Sequence, residues 1–82
     1  AAENLSGSDA LALLDYPVRP QGGQWQAPAV VQVREFPDSD AHVLETLKPG
    51  ERYRRSGVVE HGGHVWDQIV LYADGAVGYV RR

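Results

Sequence analysis

The 82 residues carry a formal net charge of −3, include no cysteine and are 43% hydrophobic. The lack of thiols excludes disulfides and thiolate metal sites, and the interspersed acids and bases leave no broad basic surface for nucleic acid. Apolar runs are a few residues long, far below the roughly 20 that span a bilayer, so we expect one small domain without a membrane span. The oligomeric state is left open.

Near its start the sequence contains one helical signal, over residues 8–15. Ser8 or Asp9 can cap this helix, and Leu11 and Leu14 lie three positions apart, on one helical face. A helix of about two turns is marginal alone in water. We therefore expect it to cover one open end of the following domain through these leucines.

Residues 1–29 as a whole are predicted to form an N-terminal extension. After the helix, the segment 17–28 is rich in proline and glycine and is predicted to be an irregular loop, whose Trp25 should seek an apolar contact. The first residue is Ala1 rather than methionine. Either signal peptidase cut after a small residue that preceded it, or the chain was taken from a longer one.

Residues 30–82 show the alternation and regular turns of a small all-β domain. Val31 and Val33, for example, alternate with polar residues, as in a half-buried strand. Five strands are predicted, over residues 31–34, 43–47, 52–60, 65–72 and 76–80. Short strands at this spacing favour a small closed barrel or sandwich, because closure removes edges that invite aggregation.

Two local features of the later strands are also predicted. Asp74-Gly75 indicates a hairpin with a type I′ turn, in which both central residues have positive φ. In the strand over 65–72, strict alternation places Trp66 on the face opposite Ile69. We favour a β-bulge after Trp66, which brings its side chain to the face of Ile69.

An ordered set of short motifs covers residues 30–80. It reads Val31-Gln-Val33-Arg34, a Pro-Asp-Ser loop, Val43-Leu44-x-x-Leu47-Lys48-x-Gly50, Gly63-x-x-Trp66-x-x-Ile69-x-Leu71 and Asp74-Gly75-x-x-Gly78-Tyr79-Val80. This set resembles the bacterial SH3 (SH3b) domain family. The resemblance implies a five-stranded SH3-like barrel, non-catalytic, in secreted, periplasmic or wall-associated bacterial proteins, that binds peptidoglycan or a protein.

The chain departs from that family pattern in two respects. Asp67 replaces the aromatic residue that often follows the family tryptophan, and a spacer separates Gly63 from Trp66. Both departures predict a smaller aromatic part of the ligand surface.

Two histidines bracket the glycine pair of a predicted turn. His61 and His64 can ligate zinc or copper if a third donor, such as Glu60 or Asp67, converges on them. A flexible hairpin holds such a pair poorly, and ligands need supporting hydrogen bonds. We favour solvated imidazoles and expect no metal and no cofactor.

Three acidic residues, Glu35, Asp38 and Asp40, cluster in the loop over residues 35–42. Their first interpretation is turn formation, and the second is contact with a basic ligand group. Catalysis needs one of them to be buried, whereas a Pro/Asp/Ser loop is normally solvated. No serine lies in a strand-turn-helix elbow, and no glycine-rich phosphate loop is present. We expect no catalytic residue and no enzymatic activity.

Arginines form a modest basic patch, made of Arg52, Arg54, Arg55, Arg81 and Arg82. We interpret it first as a solvated strand face. The second interpretation pairs it with carboxylates of a partner or of a peptide stem.

The ligand surface is predicted between the loop over residues 35–42 and the turn over residues 60–64. Aromatic side chains offer flat, rigid contact area for sugars and peptides. The predicted ligand-binding residues are Phe36, Asp38, Tyr53 and Trp66.

The sequence thus predicts a non-catalytic bacterial binding module, periplasmic or secreted, that recognises peptidoglycan or another ligand of the cell wall. The alternative is a protein–protein interaction module or an accessory subunit of a larger periplasmic assembly. That alternative is motivated by Asp67 and by the N-terminal extension, which can dock on a partner.

Overall fold

A computed structural model of the protein describes residues 17–82, and the helix predicted over residues 8–15 lies outside them. Within the described range the chain forms strands and turns, which confirms the all-β fold class. The strands are β1 (Arg19–Pro20), β2 (Gln24–Gln26), β3 (Val31–Arg34), β4 (Val43–Leu47), β5 (Arg52–His61), β6 (His64–Val70) and β7 (Val77–Arg81). All five predicted strands are present, with ends that shift by up to two residues.

The seven strands form one antiparallel sheet in the order β1-β5-β6-β7-β3-β4, and β2 also pairs with β5. The predicted closed, five-stranded barrel is wrong, because the strand pairing does not close. β1 and β2 occupy the outer edge of β5, so this edge is not available to β4. Instead, Ala27 links the two ends of the sheet: its N–H donates to the carbonyl of Glu51 (2.8 Å), and its carbonyl accepts from the N–H of Gly50 (2.9 Å).

The segment 17–28, predicted to be an irregular loop, contributes β1 and β2 to the sheet, and its other residues lie outside strands. Trp25 lies opposite Tyr53 in the β2–β5 ladder, and its indole is 9% exposed, as its predicted need for an apolar contact requires. An edge strand needs hydrogen bonds on one side only, which is why a segment with prolines can pair here. The division into residues 1–29 and 30–82 stays a prediction, although residues 19–27 share a sheet and a core with the later strands.

Two hydrophobic clusters stabilise the sheet, one on each side of β6. The first comprises Trp25, Ala27, Val33, Leu47, Ile69 and Val80. The second comprises Val59, Trp66 and Tyr79, with Val18 and Val77 packed against it. Since alternate residues of a strand face opposite sides, β6 contributes to both clusters.

The β-bulge predicted after Trp66 is wrong. The ladder between β6 and β7 runs without a register shift from Trp66 to Val70, so Trp66 and Ile69 stay on opposite faces. The irregularity lies instead in β5, between Arg55 and Gly57. A Cβ on Gly57 would lie 2.4 Å from Val18 Cγ1, so the bulge is located where the N-terminal segment packs against the sheet.

The type I′ turn is also located differently from its prediction. Gly62 and Gly63, between His61 and His64, have φ values of 61° and 79°, as that turn requires. Asp74 has no positive φ, and its carboxylate accepts the N–H of Ala76 at 2.9 Å. The later turn is longer than predicted, because the N–H of Leu71 donates to the carbonyl of Ala76 (2.9 Å) and leaves residues 72–75 in the loop, where Gly75 N–H donates to the carbonyl of Tyr72 (3.0 Å).

Candidate functional site

The loop over residues 35–42 and the β5–β6 hairpin face each other across a recess of about 230 Å³, which we call the first recess. Its lining residues are Pro37, Asp38, Ser39, His61, Gly62, His64 and Trp66. The recess therefore lies where the sequence predicts the ligand surface.

Local hydrogen bonds fix the loop on its side of the recess. Asp38 Oδ1 accepts the N–H of Asp40 at 2.8 Å, and the Asp38 carbonyl accepts the N–H of Ala41 at 3.1 Å. Pro37 is fully buried and anchors the loop to the sheet. The turn interpretation of Asp38 is confirmed, and its exposed carboxylate lies at the rim of the recess.

The four predicted ligand-binding residues do not all meet at this site. Asp38 and Trp66 line the first recess together. Phe36 is half-buried, and its carbonyl accepts the N–H of Asp38 at 2.8 Å. Tyr53 packs against the first hydrophobic cluster, on the face opposite Trp66. The ligand contacts of all four residues stay a prediction.

Trp66 combines deep burial with an unsatisfied polar atom. Its side chain is 2% exposed, and the buried Nε1–H has no hydrogen-bond partner among residues 17–82. A buried donor left without an acceptor costs about 1–3 kcal/mol. Trp66 lines the first recess, but this nitrogen lies beneath its surface, so a ligand oxygen can offset the cost only if the recess rearranges on binding.

A hydrogen-bonded chain supports the cluster around Trp66. Gln68 Nε2 donates to the hydroxyl of Tyr79 at 2.9 Å, and Ser56 Oγ donates to Gln68 Oε1 at 2.8 Å. Ser56 lies in the β5 bulge. This chain holds the ring of Tyr79 within the second cluster, which also contains Trp66.

The two histidines lie opposite each other at the end of the hairpin and both line the first recess. Residues flanking a two-residue turn project to the same face, so the Gly-Gly signal could have assigned both imidazoles to the ligand surface. Within residues 17–82, no three His, Asp, Glu or Cys side chains are arranged to hold a metal ion. Of the proposed third donors, Glu60 pairs with Arg19 at 3.6 Å, and Asp67 is held by arginines.

Asp67 is buried on the face opposite Trp66 and neutralises two cations. Its Oδ1 lies 2.7 Å from Arg82 Nη2 and 3.7 Å from Arg55 Nη1. The hydrogen bond from Arg82 to Asp67, with their Coulomb attraction, raises the pKa of Arg82 above its ordinary value. Arg55 also donates to the carbonyl of Gly22, at 3.1 and 3.3 Å. The acid that departs from the family pattern is therefore an internal counter-ion, and it removes two arginines from the predicted basic patch.

Comparisons with known proteins give information on the fold. No known family pattern matches the sequence, and no curated protein matches it either. The structure is similar to the cell wall binding domain of the staphylococcal phage 2638A endolysin, with a TM-score of 0.68 and 19% identity over 80% of this chain and 73% of that one. It is also similar to Ly7917, crystallised with the hydrolyzing product of MDP, with a TM-score of 0.67 and 20% identity over 80% of this chain and 29% of that one.

These likenesses support an SH3-like fold of the kind found in an endolysin cell wall binding domain. At such identities they concern the fold and not the ligand. Within residues 17–82, no helix has the length and apolar character needed to cross a membrane.

Proposed function

We propose that the chain is a non-catalytic module that binds the bacterial cell wall, with peptidoglycan as its ligand, in the periplasm or outside the cell. The observation that carries this proposal is the fold likeness, over 80% of the chain, to the cell wall binding domain of a phage endolysin.

The first recess supports this proposal because it offers several polar groups beside an aromatic wall. Asp38 supplies an acceptor and the exposed imidazole of His64 supplies a donor, while the Nε1–H of Trp66 is a further donor beneath the surface of the recess. Wall glycans and peptides carry amide groups that both donate and accept. We propose that Asp38 and Trp66 contact the ligand directly, and that Phe36 and Tyr53 act through the loop and the first cluster.

The non-catalytic part of the proposal has its own support. Asp38 is exposed and its Oδ1 is engaged in a turn, which is a poor setting for general acid catalysis. Asp67, the buried acid, is neutralised by two arginines on the other face of the sheet. A cell wall binding domain of a phage endolysin has a similar fold.

A protein-interaction or accessory-subunit role is the second candidate. Among the described strands, β4 pairs only with β3, so its other edge is open to an added strand from a partner. Val30, the residue before β3, is 65% exposed and offers an apolar contact. Asp67 no longer motivates this role, because its charge is satisfied within the chain.

A sedimentation assay with purified sacculi tests the first candidate. The full chain should be retained by sacculi and released by soluble muropeptides, whereas a heat-unfolded sample serves as the control for non-specific retention. If native protein stays in the supernatant with sacculi from Gram-positive and from Gram-negative bacteria, cell-wall binding is excluded. If the protein does not bind sacculi but binds an added peptide as an extra strand along β4, the second candidate is favoured.

A further inference from the structure

A second recess, of about 330 Å³, adjoins the first, since Ser39 and Trp66 line both. Strands β3 and β7 supply its other walls, through Val31, Gln32, Arg34, Val80 and Arg81. The two recesses therefore share part of their lining, and we treat them as the two halves of one groove that meet at Ser39 and Trp66. No acidic residue lines the second half within the described part of the chain.

Arg34 is held in the second recess without a negatively charged partner among residues 17–82. Its Nη1 donates to the carbonyl of Ala41 at 2.9 Å, and its Nη2 donates to Gln32 Oε1 at 2.9 Å. Both acceptors are neutral, so neither of these contacts offsets the positive charge of the guanidinium. A guanidinium has five N–H donors, so three remain for a ligand.

Arg81 lies beside Arg34 on the neighbouring strand. The β3–β7 pairing sets Arg34 opposite Tyr79, and Arg81 follows two residues later, on the same face. Diagonal neighbours of this kind are within reach of long side chains. Arg81 is exposed and has no ion pair among residues 17–82, in contrast to Arg55 and Arg82.

We infer that Arg34 and Arg81 form an anion-binding subsite that takes a carboxylate or phosphate group of the ligand. Two guanidiniums on adjacent strands can together offer several N–H donors to the planar or tetrahedral oxygens of such a group. Asp38, in the other half of the groove, repels an anion there and so fixes the direction in which the ligand lies. The ligand's source rests on the proposed function, whereas the preference for an anion rests on the second recess alone.

A charge-matched pair of variants tests the subsite in the sacculus assay. Arg34→Gln with Arg81→Gln should weaken retention about tenfold, the effect of losing a charge-assisted contact. The control, Arg52→Gln with Arg54→Gln, removes the same charge from exposed side chains outside the groove and should change retention less than about twofold. Equal losses in the two double variants would overturn the inference and leave wall binding intact.

Since Arg34 also holds the loop, two single variants separate charge from structure. Arg81→Gln removes a side chain with no hydrogen bond among the described residues and should weaken retention about threefold. Arg34→Lys keeps the charge and should retain more binding than Arg34→Gln. If Arg81→Gln binds as the wild type does, the two-arginine subsite is wrong.

Small ions test the subsite without any assumption about the wall. In NMR titrations of the full chain, sodium phosphate or sodium acetate should shift the Arg34 and Arg81 Nε–H signals saturably, beyond the shift from sodium chloride. Failure of both ions to do so overturns the subsite, even if sacculi are bound. Saturable shifts without sacculus binding support the subsite and refute the proposed function.

The same variants identify the source of the anion. Sacculi treated with hydrofluoric acid lose phosphodiester-linked polymers but keep their peptide carboxylates. If the double variant still binds such sacculi about tenfold less than the wild type, the subsite takes a carboxylate. If wild-type retention itself falls to the level of the double variant, the subsite takes a phosphate.

Discussion

Trp66 and Asp67 are neighbours on β6 and lie on its opposite faces. The two residues differ in whether their buried polar groups have partners among residues 17–82. Asp67 is paired with two arginines, one of them at 2.7 Å, whereas the Nε1–H of Trp66 has no acceptor among residues 17–82. The first arrangement is complete within the chain, and the second needs an acceptor from elsewhere. We therefore expect changes at Asp67 to act on stability and the loss of the Trp66 Nε1–H to act on the proposed binding.

The largest effect on stability is expected from Asp67→Ala. It leaves the half-buried Arg55 without its counter-ion, and we expect the free energy of unfolding to fall by about 2 kcal/mol, less than for a fully buried pair because Arg82 is half exposed. Glu60→Ala, which breaks an exposed ion pair with Arg19, should change it by less than about 0.5 kcal/mol. Urea unfolding measures both, and equal effects would contradict the role of Asp67.

The next effect concerns the segment that covers the Trp66 face. Gly57→Ala places a Cβ against Val18 Cγ1 and 3.2 Å from the Arg19 carbonyl, so we expect a loss of about 1.5 kcal/mol. Gly22→Ala meets no atom within 4 Å and serves as the control. Thermal unfolding of the two variants gives the difference. A Gly57 variant as stable as its control would show that β1 does not pack as described.

The strands of the later chain could be predicted because their signals are local. Val31 and Val33 alternate with polar residues, as a half-buried strand requires. Gly50, in the turn between β4 and β5, has a positive φ of 88°, which glycine adopts readily. For Trp25 the sequence predicted an apolar contact but not the strand that provides it. The partner strand lies about 28 residues later, and pairing at an edge depends on the whole sheet.

The candidate site was predicted only in part, because some of its residues are positioned by local turns and others by pairing between distant strands. The loop and hairpin that flank the first recess carry their own turn residues, so their positions followed from the sequence. The position of Arg34 beside Arg81 depends on the β3–β7 pairing, which joins residues far apart in the chain. The bulge in β5 depends on packing against Val18, which no alternation in β6 reveals.

Trp66→Phe isolates the unpaired donor from the bulk of the ring. Phenylalanine keeps an aromatic wall but lacks the Nε1–H, so we expect retention by sacculi to fall about tenfold. The unfolding free energy should change by about 1 kcal/mol or less, because the lost donor made no bond within the described chain.

Trp25→Phe is the matched control for this change, since Trp25 is equally a buried tryptophan but lies in the first cluster. We expect its retention to stay within about twofold of the wild type, with a loss of stability of about 1–2 kcal/mol. If both tryptophan variants lose binding in parallel with stability, the assignment of the two faces fails.

The smallest effect is expected at Tyr72, away from both faces of β6. Its hydroxyl donates to Glu45 Oε1 at 3.0 Å, and this hydrogen bond is the main reason why the pKa of Tyr72 is raised. A raised folded-state pKa means that the contact's contribution to stability is present below the usual pKa of about 10 and is lost as the pH rises through the folded-state value.

Glu45→Gln removes the charge while keeping the side chain's size, so the pKa of Tyr72 should fall toward about 10. A titration of the tyrosine ring carbons by NMR measures this shift, with the wild-type Tyr72 losing its proton at the higher pH. Because Tyr72 is 45% exposed, solvent screens the contact and neither stability nor retention by sacculi should change measurably near neutral pH. An unchanged Tyr72 titration would show that Glu45 does not accept its hydrogen bond in solution.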